Sequence, residues 1–133
     1  MKILVLSQYW HPENGVPQRR WTWLAKILVD AGHDVTVIAP PPHYQRKMSL
    51  RTWLQERKFS SAVENNTGPA GEHIVRSGFL PAGSSLTLRA LNQATVALGA
   101  IWVVLKRPGR LRGYQPDLVI GTVPALPTAF ATR

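Results

Sequence analysis

The run KILVL at positions 2–6 narrows what this chain can fold into more than any other feature. Its apolar residues are consecutive instead of alternating, the pattern of a strand covered on both faces in a parallel sheet. A loop carrying Pro12, Glu13, Asn14 and Gly15 follows, and then a helical pattern with Trp21, Leu24, Leu28 and Ala31 on one face. Arg20, Lys26 and Asp30 fall largely off that face. Pro17 suits a first helical turn, and Gly32 sits where a left-handed cap ends a helix. DVTVIA (34–39) is then a second strand, halted by Pro40, Pro41 and Pro42. Strand, loop, helix, Gly-His and strand make one βαβ unit, whose crossover is expected to be right-handed.

The alternation continues. EHIVRSG (72–78) is expected as a third strand and LTLRALNQATVALGAIWVVL (86–105) as a helix, with Ser84 and Ser85 available to cap it. YQPDLVIGT (114–122) is a fourth strand, entered through Pro116 and Asp117, after which PALPTAFATR begins another helical pattern. LRTWLQERKF (50–59) reads as a short helix. NNTGPAG (65–71) reads as a mobile turn, its glycosylation sequon a chance match. These elements predict an α/β fold, a Rossmann-like doubly wound parallel sheet. Because the sequence stops as a helix starts after the fourth strand, residues 1–133 are expected to be part of a larger unit.

The 133 residues suffice for one domain with a real core. There is no cysteine, which excludes disulfides, thiolate metal sites and cysteine nucleophiles together. The N-terminus lacks the long apolar centre of a secretory signal, so a cytoplasmic location is expected. The most apolar stretch, 94–105, is shorter than the ~20 residues of a membrane span. Extending it back to Leu86 brings in Arg89, Asn92 and Gln93, so a buried or surface-lying helix is expected. The formal charge of +9 comes from scattered cations apart from KRPGRLR (106–112) and the pairs Arg46-Lys47 and Arg57-Lys58. No aromatic residue interrupts KRPGRLR and no nucleic-acid motif surrounds it, so nucleic acid is not an expected partner. Lys106, Arg107, Arg110 and Arg112 form either a solvated loop or a contact with an anionic membrane at the inner face.

In open α/β sheets ligands sit outside the carboxyl ends of the strands. The sequence puts 7–15, 40–44, 79–85 and 122–126 there. Gly15 serves either as a turn or as a point of close backbone approach, and the amides of the helix after it can meet phosphate or carboxylate oxygens. Arg19 and Arg20 add charge beside it. Glu13 and Asn14 belong to the same loop, where Glu13 either balances the helix N-terminus or touches ligand. His11 and His43 lie in loops on the ligand side, with Tyr44 beside His43, and His33 behind the helix cap is expected to be structural. Trp21, Trp23, Trp53 and Trp102 are expected in the core or partly buried. The dinucleotide fingerprint is missing, since the first loop has one glycine and the second strand closes with Ala39-Pro40 instead of an acid; the Walker loop is missing too. A dehydrogenase or a kinase is therefore not expected.

The ordered set ILVLSQYWHPENG (3–15), LAKILVDAGHDVTVIAPPPHY (24–44) and QPDLVIGTVPALPTA (115–129) resembles the N-terminal domain of family 4 glycosyltransferases, two-domain enzymes of the GT-B fold. The Pro-Glu-Asn loop and the P-x-Y after the second strand are similar to the branch that builds amino-sugar-containing surface polysaccharides. The resemblance implies transfer of a sugar from a nucleoside-diphosphate sugar to a lipid-linked or glycan acceptor, with anomeric retention and without metal or other cofactor. It implies that this lobe holds the acceptor and brings its glycine loop near the donor diphosphate. A C-terminal domain, whose donor motif has no counterpart here, would bind most of the nucleotide, and this chain alone is expected to be inactive. The residues expected to meet donor phosphate or acceptor are Glu13, Asn14, Gly15, Arg19, His43, Tyr44 and Thr122. Two departures stand out: Gly15-Val16-Pro17 replaces the paired glycines of many relatives, and Gly121-Thr122 stands where many carry a histidine. Thr122 can bond a sugar hydroxyl or the backbone, and no catalytic residue is assigned. The alternatives are a non-catalytic acceptor-binding module that recruits a separate donor-binding subunit, and a fragment of a GT-B-like sugar-nucleotide epimerase.

Overall fold

A computed structural model describes residues 1–42, 65–80, 86–107 and 111–122. In chain order the elements are β1 (Lys2–Leu6), α1 (Val16–Asp30), β2 (Asp34–Ala39), β3 (Asn65–Thr67), β4 (His73–Arg76), α2 (Leu86–Lys106) and β5 (Leu118–Gly121). They form one sheet in the order β3-β4-β2-β1-β5. β4, β2, β1 and β5 run parallel, with Ile3 level with Val35 and Leu118, and Val37 level with Ile74. The short β3 pairs antiparallel to β4 at the edge. Counting only the parallel strands along the chain, the order is third, second, first, fourth. The direction of winding reverses between β1 and β5, the place where such sheets leave a crevice.

Strand periodicity divides the core in two. Ile3, Val5, Val35, Val37, Ala39 and Ile74 form the layer under α1 with Trp10 and Ala25. Leu4, Leu6, Ile38 and Val75 face the other way, onto Ala100 and Val103 of α2, Leu111 and Tyr114. Both faces are covered, which is why β1 reads as an unbroken apolar run; β2 is buried on both faces as well, with Thr36 in its middle. The fold is an open α/β sheet with a helix on each side.

The helix ends follow from local chemistry. Gly15 is the N-cap of α1, and Pro17 occupies its first turn. At the other end Gly32 adopts φ +83°, its amide donating to Val29 O at 2.9 Å while His33 N donates to Leu28 O at 3.1 Å. This pair is a Schellman cap and needs the left-handed residue that glycine supplies without strain. His33 is structural, its Nδ1 3.4 Å from the N-terminal amine of Met1. The chain returns to the sheet through Asp117, whose carboxylate accepts from Lys2 N at 2.7 Å and whose amide donates to Lys2 O at 2.8 Å.

Four expectations are corrected. The 65–71 segment is not simply a mobile turn: Asn65–Thr67 is strand β3, because β4 offers it a free edge to pair with. The sheet therefore carries one antiparallel edge strand instead of being wholly parallel. The inner face of α1 is rotated from the expected one, with Gln18 and Ala25 buried, Trp21 and Leu28 half-buried, and Ala31 exposed. Trp23 and Trp102 are not core residues, being 68% and 61% exposed. The expected helix at 50–59, Trp53, the caps at Ser84 and Ser85, and the pattern after Thr122 lie outside the described residues.

Candidate functional site

The loop from Ser7 to Gly15 is built between two anchors at the carboxyl end of the sheet. At the β1–β5 reversal, Ser7 N donates to Ile38 O at 3.0 Å and Thr122 N to Leu6 O at 2.9 Å, which carries the ladder one residue past the strands. The side chains meet as well: Thr122 Oγ1 donates to Ser7 Oγ at 3.0 Å, and Ser7 Oγ donates to Tyr9 O at 2.8 Å. Arg76, at the end of β4, then clamps the middle of the loop. One guanidinium nitrogen donates to His11 O at 2.7 Å and the other to Pro40 O at 3.1 Å. The His11–Pro12 peptide is cis.

Trp10 drives the loop back under α1. It is buried against Ile3, Val5 and Ala25, with Trp21 6.1 Å away between ring centroids. Its indole N–H donates at 3.0 Å to a carboxylate oxygen of Glu72, a fully buried residue. The other oxygen of Glu72 accepts from Ala70 N at 2.9 Å. A buried carboxylate is costly without partners, and here it ties the β1 loop to the turn before β4.

From there the loop rises to the N-terminus of α1. Gly15 has an extended backbone, φ −82° and ψ 169°, so its glycine character is not required by a positive φ. A Cβ at Gly15 would meet the end of the Gln18 side chain, which would have to shift to admit it. Gly15 makes no side-chain cap, and the first turn of α1 contains no acidic residue. The first amides of the helix, those of Val16 and Gln18 since Pro17 has none, receive no side-chain cap from Gly15. Next to them is an open depression of about 410 Å³ lined by His11, Glu13, Asn14, Gln18 and Arg19. Thr22, Trp23 and Pro69 complete its wall. Glu13 and Gln18 are buried; Asn14 and Arg19 are exposed. The Oε1 of Gln18 has no hydrogen-bond partner.

Of the residues expected at a ligand, the structure brings Glu13, Asn14 and Arg19 into one depression, with Gly15 at its edge. Thr122 is elsewhere, buried at the strand reversal with its hydroxyl on Ser7. His43 and Tyr44 lie outside the described residues, as does Arg110. Two glutamines were not singled out from sequence. Gln18 stands three residues past the cap, where a side chain can reach back over the helix start. Gln8 stands two residues past the buried strand; its Nε2 donates to Asn92 Oδ1 at 3.2 Å, and its own Oε1 is buried without a partner among the described residues. Two polar residues, Ser7 and Gln8, after an unbroken apolar strand were the available signal for it.

Chemically the depression offers two things. The helix-end amides and Arg19 suit an oxyanion. The unmatched Gln18 carbonyl suits a hydroxyl or N–H donor, since a buried acceptor left unpaired costs roughly 1–3 kcal/mol. No group of three metal-ligating side chains occurs among the described residues. No protein-family model, no curated protein and no solved structure matches the chain.

Proposed function

We propose that this chain is the acceptor-side lobe of a glycosyltransferase that moves a sugar from a nucleoside-diphosphate donor to a lipid-linked or glycan acceptor. The observation that carries the proposal is the depression beside the N-terminus of α1. There the start of α1, Arg19 and an unmatched Gln18 carbonyl lie near one another after the loop that leaves β1, with Glu13 on the same wall. Oxyanion and hydroxyl recognition in one place is what a sugar phosphate requires. The resemblance of the motif order to family 4 glycosyltransferases supports the proposed reaction class: retention at the anomeric carbon, without metal.

In this reading a donor lobe packs over the depression and holds the nucleotide. As the glycosidic bond to the diphosphate breaks, negative charge grows on the leaving oxygens. The amides of α1 and the Arg19 guanidinium stabilise that charge without having to reorganise. Closure of two lobes aligns donor and acceptor and excludes water. Glu13 and Asn14 contact sugar hydroxyls. A second reading, a lobe that binds acceptor without taking part in proton transfer, is favoured by one observation: the Thr122 hydroxyl is held by Ser7. The two separate by experiment. The lobe joined to a donor domain is assayed with UDP-, GDP- and dTDP-sugars and a polyprenyl-phosphate-linked acceptor. Transfer that falls on Arg19→Ala supports the catalytic reading; binding of acceptor without any transfer supports the second.

A further inference from the structure

We infer that the outer face of α2 docks on an anionic lipid bilayer. This goes beyond the sugar-transfer reading and does not depend on it.

α2 is 21 residues long, and it is apolar on two sides. One stripe, Val96, Ala97, Ala100 and Val103, is buried against the sheet and completes the core. The opposite stripe has no such role. Leu98 is 64% exposed, Trp102 61% and Leu105 72%, with Leu91 half exposed about two turns before Leu98. Their spacing of three, four and seven keeps them on one line along the helix. A helix apolar all round is ordinarily buried all round, and in this one half of the apolar surface faces outward.

Charge identifies the occupant. Between Glu72 and Asp117 the chain has no acidic residue. Lys106, Arg107 and Arg112 are exposed at the carboxyl end of the stripe, and the Lys106 ammonium sits 4.9 Å over the Trp102 ring. Leucines and an indole on one side with cations at the rim are the composition of a helix that lies in the headgroup region. A second copy docking through the same face would bring cations to cations, with no carboxylate on α2 to pair them. By length and composition Thr87–Lys106 could also cross a membrane. Its inner stripe is engaged with Leu4, Leu6, Ile38 and Val75, so it lies on the bilayer instead.

The test is flotation of the 133-residue chain with phosphatidylcholine vesicles, with and without phosphatidylglycerol, at low and high salt. We expect binding only to the anionic vesicles and its weakening by salt. Leu98→Ser with Leu105→Ser should lower partitioning by about 10-fold or more. Lys106→Ala with Arg107→Ala should lower it several-fold and flatten the salt dependence. Circular dichroism checks folding; should the serine pair unfold, the Lys106 and Arg107 pair, fully exposed, carries the test. Equal binding to neutral vesicles, no binding, or unchanged binding by the folded variants overturns the inference. So does a dimer in sedimentation that the serine pair dissociates while vesicles are ignored, which would assign the face to a second copy.

Discussion

The two helices cover the same sheet from opposite sides and differ in what they show to solvent. α1 has one inner face, with Ala25 buried and Trp21 and Leu28 half-buried, and Lys26 and Asp30 pair outside at 3.0 Å. α2 has an inner stripe of small and branched residues and an outer one of leucines and tryptophan. A sheet buried on both faces asks for one apolar stripe per helix, and both helices carry apolar residues beyond it. On α1 these are Val16, Trp23 and Ile27, with the Lys26–Asp30 ion pair beside them. On α2 they are the longer row Leu91, Leu98, Trp102 and Leu105, which ends in cations. Apolar surface beyond what the core needs is the signature of an interaction.

The sharpest way to break this comparison is to truncate both layers. Ile38→Ala, in the layer under α2, should cost about 2–5 kcal/mol. Leu105→Ala, on the outer face of the same helix, should change stability by less than about 0.5 kcal/mol. Chemical denaturation measures both, and a comparable loss at Leu105 would mean that the outer stripe belongs to the core after all. Next in size is Glu72→Leu, which strands the Trp10 indole and the Ala70 amide. At roughly 1–3 kcal/mol for an unpaired buried group, it should destabilise clearly, with Glu72→Gln recovering part of the loss by keeping an acceptor.

At the α1 end, the proposed sugar transfer predicts that Arg19→Ala, in the lobe joined to a donor domain, lowers kcat/KM about 10-fold, or ~1.4 kcal/mol of transition-state stabilisation. Folding should be unchanged because the side chain is exposed. Gly15→Val should lower activity through displacement of Gln18 and not through backbone strain, since φ is negative. Gln18→Ala on that background, by removing the colliding amide, should recover fold stability in thermal melts; no recovery would rule out the collision as the cause. The smallest effect is expected from Lys26→Ala, which removes an exposed helix pair worth about 0.3–0.5 kcal/mol. A larger loss there would show that α1 depends on its outer face as well.

Much of the architecture was legible in the chain. KILVL announced a strand buried on both sides because burial on two faces removes alternation, while DVTVIA was legible as a strand from its alternation and gave no sign that both its faces are buried. Gly32 announced the end of α1 because a Schellman cap needs a positive φ. Glu13, Asn14 and Arg19 could be placed near one another because they flank a single helix start. β3 could not be read, since Asn-Asn-Thr has poor strand propensity and is ordered by the edge it pairs with. Gln18 was hidden because a glutamine near a helix start is ordinarily a solvated residue, and only packing beside Gly15 buries it.

The sequence by itself determined the elements, their order and the charge of the chain, because period, caps and composition act over a few residues. It also determined that 94–105 is the most apolar stretch of the chain. Tertiary structure decided which side of α2 stays outside, since the sheet can bury only one stripe. It also decided that Thr122 meets Ser7 and Trp10 meets Glu72, contacts across 115 and 62 residues of chain that no local pattern encodes.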